Sequence, residues 1–68
     1  MSYSISLRAA RVNKGMRQED AAKHVGVSVK TICNWETSRS FPPADALINL
    51  CELYEVPIDQ IFLPKKSG

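Results

Sequence analysis

The chain has 68 residues, enough for one small domain, and its 44% hydrophobic and 24% charged residues are typical of folded rather than disordered proteins. No apolar stretch approaches the ~18 residues of a membrane-spanning helix, and residues 1–5 lack the basic and apolar regions of a signal peptide. We therefore expect a cytoplasmic protein with a small core, which oligomerisation would help to stabilise.

The charges are unevenly distributed along the chain. Residues 1–39 carry seven Lys and Arg against three acids, whereas residues 40–68 carry two Lys against four acids. The N-terminal half is the better candidate for contact with a polyanion. On charge alone, a solvated surface with a chance asymmetry explains the difference equally well.

Gly and Pro separate short segments in which strand-like alternation of apolar and polar residues is nearly absent, which predicts an all-α domain. A first helix is expected at about 6–13, followed by Gly15 as its stop. A second helix is expected at about 18–24 and ends before Gly26. A third helix follows Ser28, whose hydroxyl is a suitable N-cap.

Two further segments complete the predicted domain. A fourth helix is expected at about 44–54, where Leu47, Leu50, Cys51 and Tyr54 recur at helical spacing. A short fifth helix is expected at about 58–63, with apolar side chains at Ile58, Ile61 and Phe62. These elements divide the chain into an N-terminal arm at 1–5, a domain at 6–63 and a flexible tail at 64–68.

Residues 18–37 are the most informative stretch, because they describe two helices joined by a tight turn. Ala21 and Ala22 permit a close approach of the helices, and Val27 and Ile32 can fill the angle between them. With Gly26 at the turn, this arrangement presents one exposed helix edge to a DNA major groove.

An ordered set of residues extends this pattern over about 6–63. It consists of Leu7, Arg11, Gln18-Glu19-Asp20-Ala21-Ala22, Gly26-Val27-Ser28, Ile32, Trp35-Glu36, Pro42, Leu47, Val56, Ile58-Asp59 and Ile61-Phe62. In this set the chain resembles the Cro/repressor-type helix-turn-helix family, also called the xenobiotic-response-element family. The resemblance implies a compact five-helix, lambda-repressor-like domain with the helix-turn-helix in helices 2 and 3. It also implies a bacterial or phage transcriptional repressor that binds a near-palindromic operator in double-stranded DNA as a homodimer.

The resemblance further implies which side chains meet DNA. Base reading is expected from Val29, Lys30 and Asn34, since Asn can read adenine, Lys can reach guanine and Val can contact a thymine methyl. Contacts to the DNA backbone are expected from Arg17, Gln18, Ser28, Thr31, Thr37 and Arg39. The alternative is that these are merely exposed positions on a helical surface.

Comparison with the family pattern gives one expected structural pair and two departures. Arg11 and Glu36 match a buried ion pair between the first and third helices, for which the planar guanidinium fork is suited. Ser38 stands where relatives usually have Gly after the third helix, so the loop is expected to take another route. Arg17 likewise occupies a position at which relatives often have a capping Ser or Thr.

Other classes of function have weaker support. His24 has no evident nucleophilic partner, and Cys33 and Cys51, expected to be free thiols, lack metal-ligand spacing. We therefore expect no enzyme, metal site, cofactor, small-molecule ligand or membrane partner. Ile58, Ile61 and Phe62 could serve as core, as a dimer surface or as a protein docking site. The alternative function is accordingly a protein-interaction module, such as an antitoxin, built on the same fold.

Overall fold

A computed structural model describes residues 4–63, which form four α-helices, one 3₁₀ turn and two short strands. The helices are α1 (Leu7–Asn13), α2 (Gln18–Val25), α3 (Val29–Glu36) and α4 (Ala44–Tyr54). The strands are β1 (Ile5–Ser6) and β2 (Ile61–Phe62), and the 3₁₀ turn spans Ile58–Gln60. Within this described range, no helix has the length and apolar character needed to cross a membrane.

Local sequence signals set the ends of the helices. The Ser6 hydroxyl accepts a hydrogen bond from the Ala9 N–H at 3.0 Å and caps α1, and the Ser28 hydroxyl accepts from the Thr31 N–H at 3.1 Å and caps α3. Gly26 ends α2 with a φ of 84°, in the left-handed region that glycine adopts without steric penalty. These signals fix the short turn between α2 and α3.

The second helix begins at Gln18 although Arg17, at its N-cap, has no capping hydroxyl. The Asp20 carboxylate instead accepts a hydrogen bond from the Arg17 N–H at 2.9 Å. Glu19 and Asp20 also place two negative charges in the first turn, where the helix dipole stabilises them. The departure from the family pattern at Arg17 is thus offset within the same turn.

The hydrophobic core lies between the four helices. Ile32 of α3 and Leu50 of α4 are its largest fully buried side chains. Ala21 is 0% exposed, and this small side chain lets α2 pack closely against both α3 and α4. Other buried apolar residues are Leu7, Ala10, Ala22, Trp35, Ala46, Cys51 and Tyr54.

The prediction of a fifth helix at 58–63 is wrong. Residues Ile58–Gln60 form a single 3₁₀ turn, after which β2 pairs in parallel with β1, with Ile5 opposite Ile61 and Ser6 opposite Phe62. Pairing with β1 satisfies backbone groups that a further helical turn would otherwise have bonded. Ile5, predicted to be in the N-terminal arm, therefore belongs to this strand pair. The rest of the predicted arm, apart from Ser4, and the predicted tail at 64–68 lie outside the described residues.

The loop after α3 also differs from expectation. Ser38 has a φ of 65°, so it adopts the left-handed conformation that a glycine would adopt, and the backbone does not take another route. A non-glycine residue in this region costs about 1–2 kcal/mol. The carbonyl of Asn34 accepts hydrogen bonds from the N–H groups of Arg39 at 2.9 Å and Ser40 at 3.3 Å, which hold the turn closed.

Candidate nucleic-acid interface

The turn at residues 26–28 places α3 across α2 with one face turned outward. Ile32 and Trp35, which are 1% and 7% exposed, fix the inner face of α3 in the core. Val29, Lys30 and Cys33 are exposed on the outer face. Because side chains one helical turn apart share a face, this strip of α3 is open to a partner along its length.

The structure places the three predicted base-reading side chains on or beside this strip. Val29 is 44% exposed at the first position of α3 and Lys30 is exposed at the second. Asn34 lies one turn after Lys30 and is half-buried. An ammonium and an amide group therefore occur together on one edge of the helix, and both are groups that can hydrogen-bond base edges in a major groove.

Ser28 and Thr31 form a hydroxyl pair at the start of α3. Their oxygen atoms lie 2.9 Å apart, and either one can be the donor. Two hydroxyl groups carry two hydrogens, and the bond between them uses one. The other can be donated to an acceptor outside the protein, such as a phosphate oxygen.

Thr37 and Arg39 occupy the C-terminal end of the same region. The Thr37 hydroxyl donates to the Cys33 carbonyl at 2.8 Å, so its hydrogen is directed to the helix backbone rather than outward. The Arg39 side chain is exposed. Of these two predicted backbone contacts, Arg39 is therefore better placed to meet a phosphate.

Gln18 points partly inward, which the sequence did not indicate. Its Nε2 donates to Oε1 of Glu36 at 3.0 Å, and the residue is half-buried. The amide group has a second hydrogen, which can be donated to a phosphate while the first remains bonded to Glu36. Arg17 is exposed beside it, with Nη1 3.4 Å from Oε1 of Glu19.

The ion pair expected from the resemblance is present behind this surface. Arg11 donates through Nε to Oε2 of Glu36 at 2.7 Å and through Nη2 to Oε1 at 3.2 Å. The Arg11 Nη1 also donates to the Met16 carbonyl at 2.9 Å. The hydrogen bond to Glu36 raises the pKa of Arg11, although burial opposes the shift. With the bond from Gln18, Glu36 connects α1 and α2 to the end of α3.

Arg8 is a candidate that sequence reasoning missed. An open depression of about 540 Å³ lies between α1, the start of α2 and the start of α3, and Arg8, Arg17, Gln18 and Val29 are among its lining residues. The available signal was the spacing of Arg8 and Arg11, which lie three residues apart and are neighbours on α1. Arg8 therefore adds an exposed positive charge from α1 to this candidate interface.

The residues of the predicted dimer surface have different environments. Ile58 and Phe62 are 50% and 52% exposed. Ile61 is half-buried, packs against the core and pairs with Ile5 through its backbone. The structure therefore places two of the three side chains on the surface.

The remaining reactive side chains are dispersed. Cys33 is exposed on α3, whereas Cys51 is buried on α4, and both are free thiols. His24 is exposed on α2. Among residues 4–63, no three His, Cys, Asp or Glu side chains are grouped as metal ligands would be.

Comparisons with known proteins agree with this geometry. A family model described as a helix-turn-helix domain matches residues 3–61. The HTH-type transcriptional activator BcrR of Enterococcus faecalis is 28% identical over 61 residues, which cover 90% of this chain. The match covers 30% of that relative, so the chain spans under a third of its length. No solved structure matches the chain significantly.

Proposed function

This chain belongs to the helix-turn-helix domain family, and on that premise we propose that it binds specific sites in double-stranded DNA through α3. The observation that carries the proposal is that Lys30 and Asn34 lie together on the outer edge of α3. The inner face of this helix is fixed in the core by Ile32 and Trp35. Membership of the family and the transcriptional activator among its relatives support a role in transcription regulation.

Each proposed contact has a distinct chemical role. Lys30 donates to guanine, Asn34 reads adenine with two hydrogen bonds, and Val29 contacts a thymine methyl group. The contacts that position the protein on phosphates come from Arg17, Gln18, Ser28, Thr31 and Arg39, and from Thr37 once its hydroxyl leaves the Cys33 carbonyl. The Arg11–Glu36 pair acts from inside the protein, because it holds α3 against α1.

We propose that two copies bind a near-palindromic operator in the cytoplasm of a bacterium, with recognition helices about 34 Å apart. Phe62 is the centre of the proposed contact between the copies, because it is more than half exposed at the end of β2. Ile58 lies at the margin of this contact. Ile61 packs against the core beneath the contact and supports it. We further propose repression, since occupation of a promoter needs only the DNA-binding surface described above.

The deciding experiment selects bound sites from random duplex DNA and then compares variants on the selected site and on random DNA. Asn34→Ala should weaken binding to the selected site by roughly 1–3 kcal/mol and relax preference at one base pair, with little loss on random DNA. Lys30→Ala should also relax preference at particular base pairs. Gln18→Ala should weaken binding to all sequences to a similar extent.

Lys23→Ala is the matched control for Lys30→Ala, because it removes the same charge from an exposed position in the last turn of α2. It should leave the preference among sequences unchanged. Equal losses on selected and random DNA for Asn34→Ala would contradict base reading. Absence of binding at low salt would contradict DNA binding altogether. A reporter gene behind the selected site distinguishes repression from activation.

A further inference from the structure

An apolar groove of about 500 Å³ lies on the surface formed by α4 and the segment that follows it. Its apolar lining includes Ile48, Cys51, Val56 and Ile58, and Glu52 and Glu55 line it as well. Ile48 is 47% exposed and Ile58 is 50% exposed. None of the lining residues belongs to α2 or α3, so the groove is separate from the proposed DNA contacts. Of the residues in the proposed contact between copies, Ile58 also lines the groove, whereas Phe62 does not.

Backbone hydrogen bonds fix one end of this groove. The Val56 N–H donates to the Cys51 carbonyl at 3.0 Å, and the Glu55 N–H donates to the Glu52 carbonyl at 3.2 Å. Glu55 has a φ of 58° and its carboxylate forms an ion pair with Lys14 of α1. This C-terminal cap directs the chain back along α4, so the groove is formed before any partner arrives.

The chain segment that forms the groove carries charges of one sign. Residues 40–63 contain Asp45, Glu52, Glu55 and Asp59 but no Lys, Arg or His. Lys14 neutralises Glu55, while Glu52 and Asp59 are exposed. A partner that fills the groove must therefore approach an apolar surface with acidic surroundings.

We propose that the groove binds an amphipathic helix of another polypeptide, with aliphatic side chains along one face and Lys or Arg beside them. The aliphatic side chains would cover Ile48, Val56 and Ile58, which is the usual mode of helix-in-groove recognition. The basic side chains would complement Glu52 and its acidic neighbours. A second copy of this chain is a poor occupant, because a two-fold contact would bring Glu52 of one copy towards the acids of the other.

The proposal does not rest on DNA binding and can be tested without DNA. A synthetic peptide of about 16 residues, with Leu at three- and four-residue spacing and Lys elsewhere, is titrated into the protein while backbone amide NMR signals are recorded. We expect shifts confined to residues 48–58 and an affinity that falls as salt is added. A peptide of the same composition in permuted order, without an apolar face, is the control for charge alone.

Variants of the protein separate the two parts of the interaction. Ile48→Asp removes an apolar contact at a position that is about half exposed and should lower the affinity by about tenfold or more. Glu52→Gln keeps the side-chain shape and should weaken binding several-fold at low salt. Val12→Asp is the matched control, because Val12 is 53% exposed on α1 and does not line the groove.

Three results would overturn the proposal. The first is equal binding of the ordered and permuted peptides, and the second is equal loss of affinity in Ile48→Asp and Val12→Asp. The third is sedimentation showing that the protein alone associates through the groove, with Ile48→Asp abolishing that association. Preserved dispersion of the amide signals in each variant establishes that its fold is intact.

Discussion

The Nε atom of Arg11 lies 2.7 Å from Oε2 of Glu36, and the two side chains are only 10% and 3% exposed. The pair is bidentate. Arg11 also donates a hydrogen bond to the Met16 carbonyl, and Glu36 also accepts one from the Gln18 amide. Burial of two opposite charges is tolerated because each retains several hydrogen bonds. Their attraction adds little net stability, whereas loss of either partner leaves the other charge buried alone.

Glu36→Ala should therefore destabilise the domain severely. The free energy of unfolding in urea is expected to fall by roughly 3–5 kcal/mol, because the buried Arg11 loses its partner. Glu19→Ala is the control, since Glu19 and Arg17 form an exposed pair worth about 0–1 kcal/mol. Similar unfolding curves for the two variants would show that the buried pair does not hold α3 in place.

The stability of the domain should fall at alkaline pH because of Tyr54. Burial raises the pKa of Tyr54 to about 12, the nearby charge of Glu36 adds to the shift, and Arg11 opposes it. The pKa of an unfolded tyrosine is about 10, so the unfolded state loses its proton first as the pH rises. The shifted pKa of Tyr54 contributes about 2–3 kcal/mol to the free energy of unfolding. This contribution is fully present below pH ~10 and is lost between about pH 10 and pH 12.

Tyr54→Phe isolates this contribution from other groups that titrate at high pH. The difference in unfolding free energy between the wild type and this variant is measured from about pH 8 to pH 12. We expect the wild type to lose stability relative to the variant above pH ~10. A difference that stays constant across that range would contradict burial of the phenol.

The two thiols should react with an aromatic disulfide reagent at very different rates. Cys33 is exposed on α3, whereas burial raises the pKa of the Cys51 thiol and restricts access to it. Cys33→Ser should remove the fast phase and leave only a slow one, limited by local opening of the structure. Cys51→Ser should retain the fast phase. Under the proposed function, cognate DNA should also slow the reaction of Cys33. A fast reaction of Cys51 would contradict its burial.

Ser38→Gly should stabilise the protein. Glycine relieves the steric cost of the φ of 65° at Ser38, although it also raises the entropy of the unfolded chain. The expected net gain is up to about 1 kcal/mol, measured by urea unfolding. Ser40→Gly lies in the same loop without a positive φ and should destabilise instead. A loss of stability in Ser38→Gly would show that the strain is relieved in another way.

The four main helices could be predicted from sequence because each carries its own local signals. Ser28 supplies a capping hydroxyl, and Gly26 can adopt the left-handed conformation that ends a helix. The apolar spacing from Leu47 to Tyr54 predicts a helix at about 44–54, and α4 spans Ala44–Tyr54. The exposed strip of α3 follows from the same helical periodicity. The match of the helix-turn-helix family model confirms the family that these residues indicated.

The errors arise where structure depends on distant partners. Ile5 and Ile61 form strands because they meet across the fold, and two isolated residues carry no alternation that could be recognised beforehand. The Gln18 amide can donate equally well to a phosphate or a carboxylate. Which acceptor it bonds in the free protein depends on the position of Glu36, 18 residues further along the chain. Neither outcome can be derived from the local sequence.

The parallel pairing of β1 with β2 also determines how the domain resists mechanical force. A load applied at residues 4 and 63 pulls on the N-terminal end of one strand and the C-terminal end of its neighbour. Strands loaded in this direction slide past each other in shear, so their hydrogen bonds must break together rather than one after another. Ser6 belongs to this pair and also caps α1, so the strain would pass directly into the first helix.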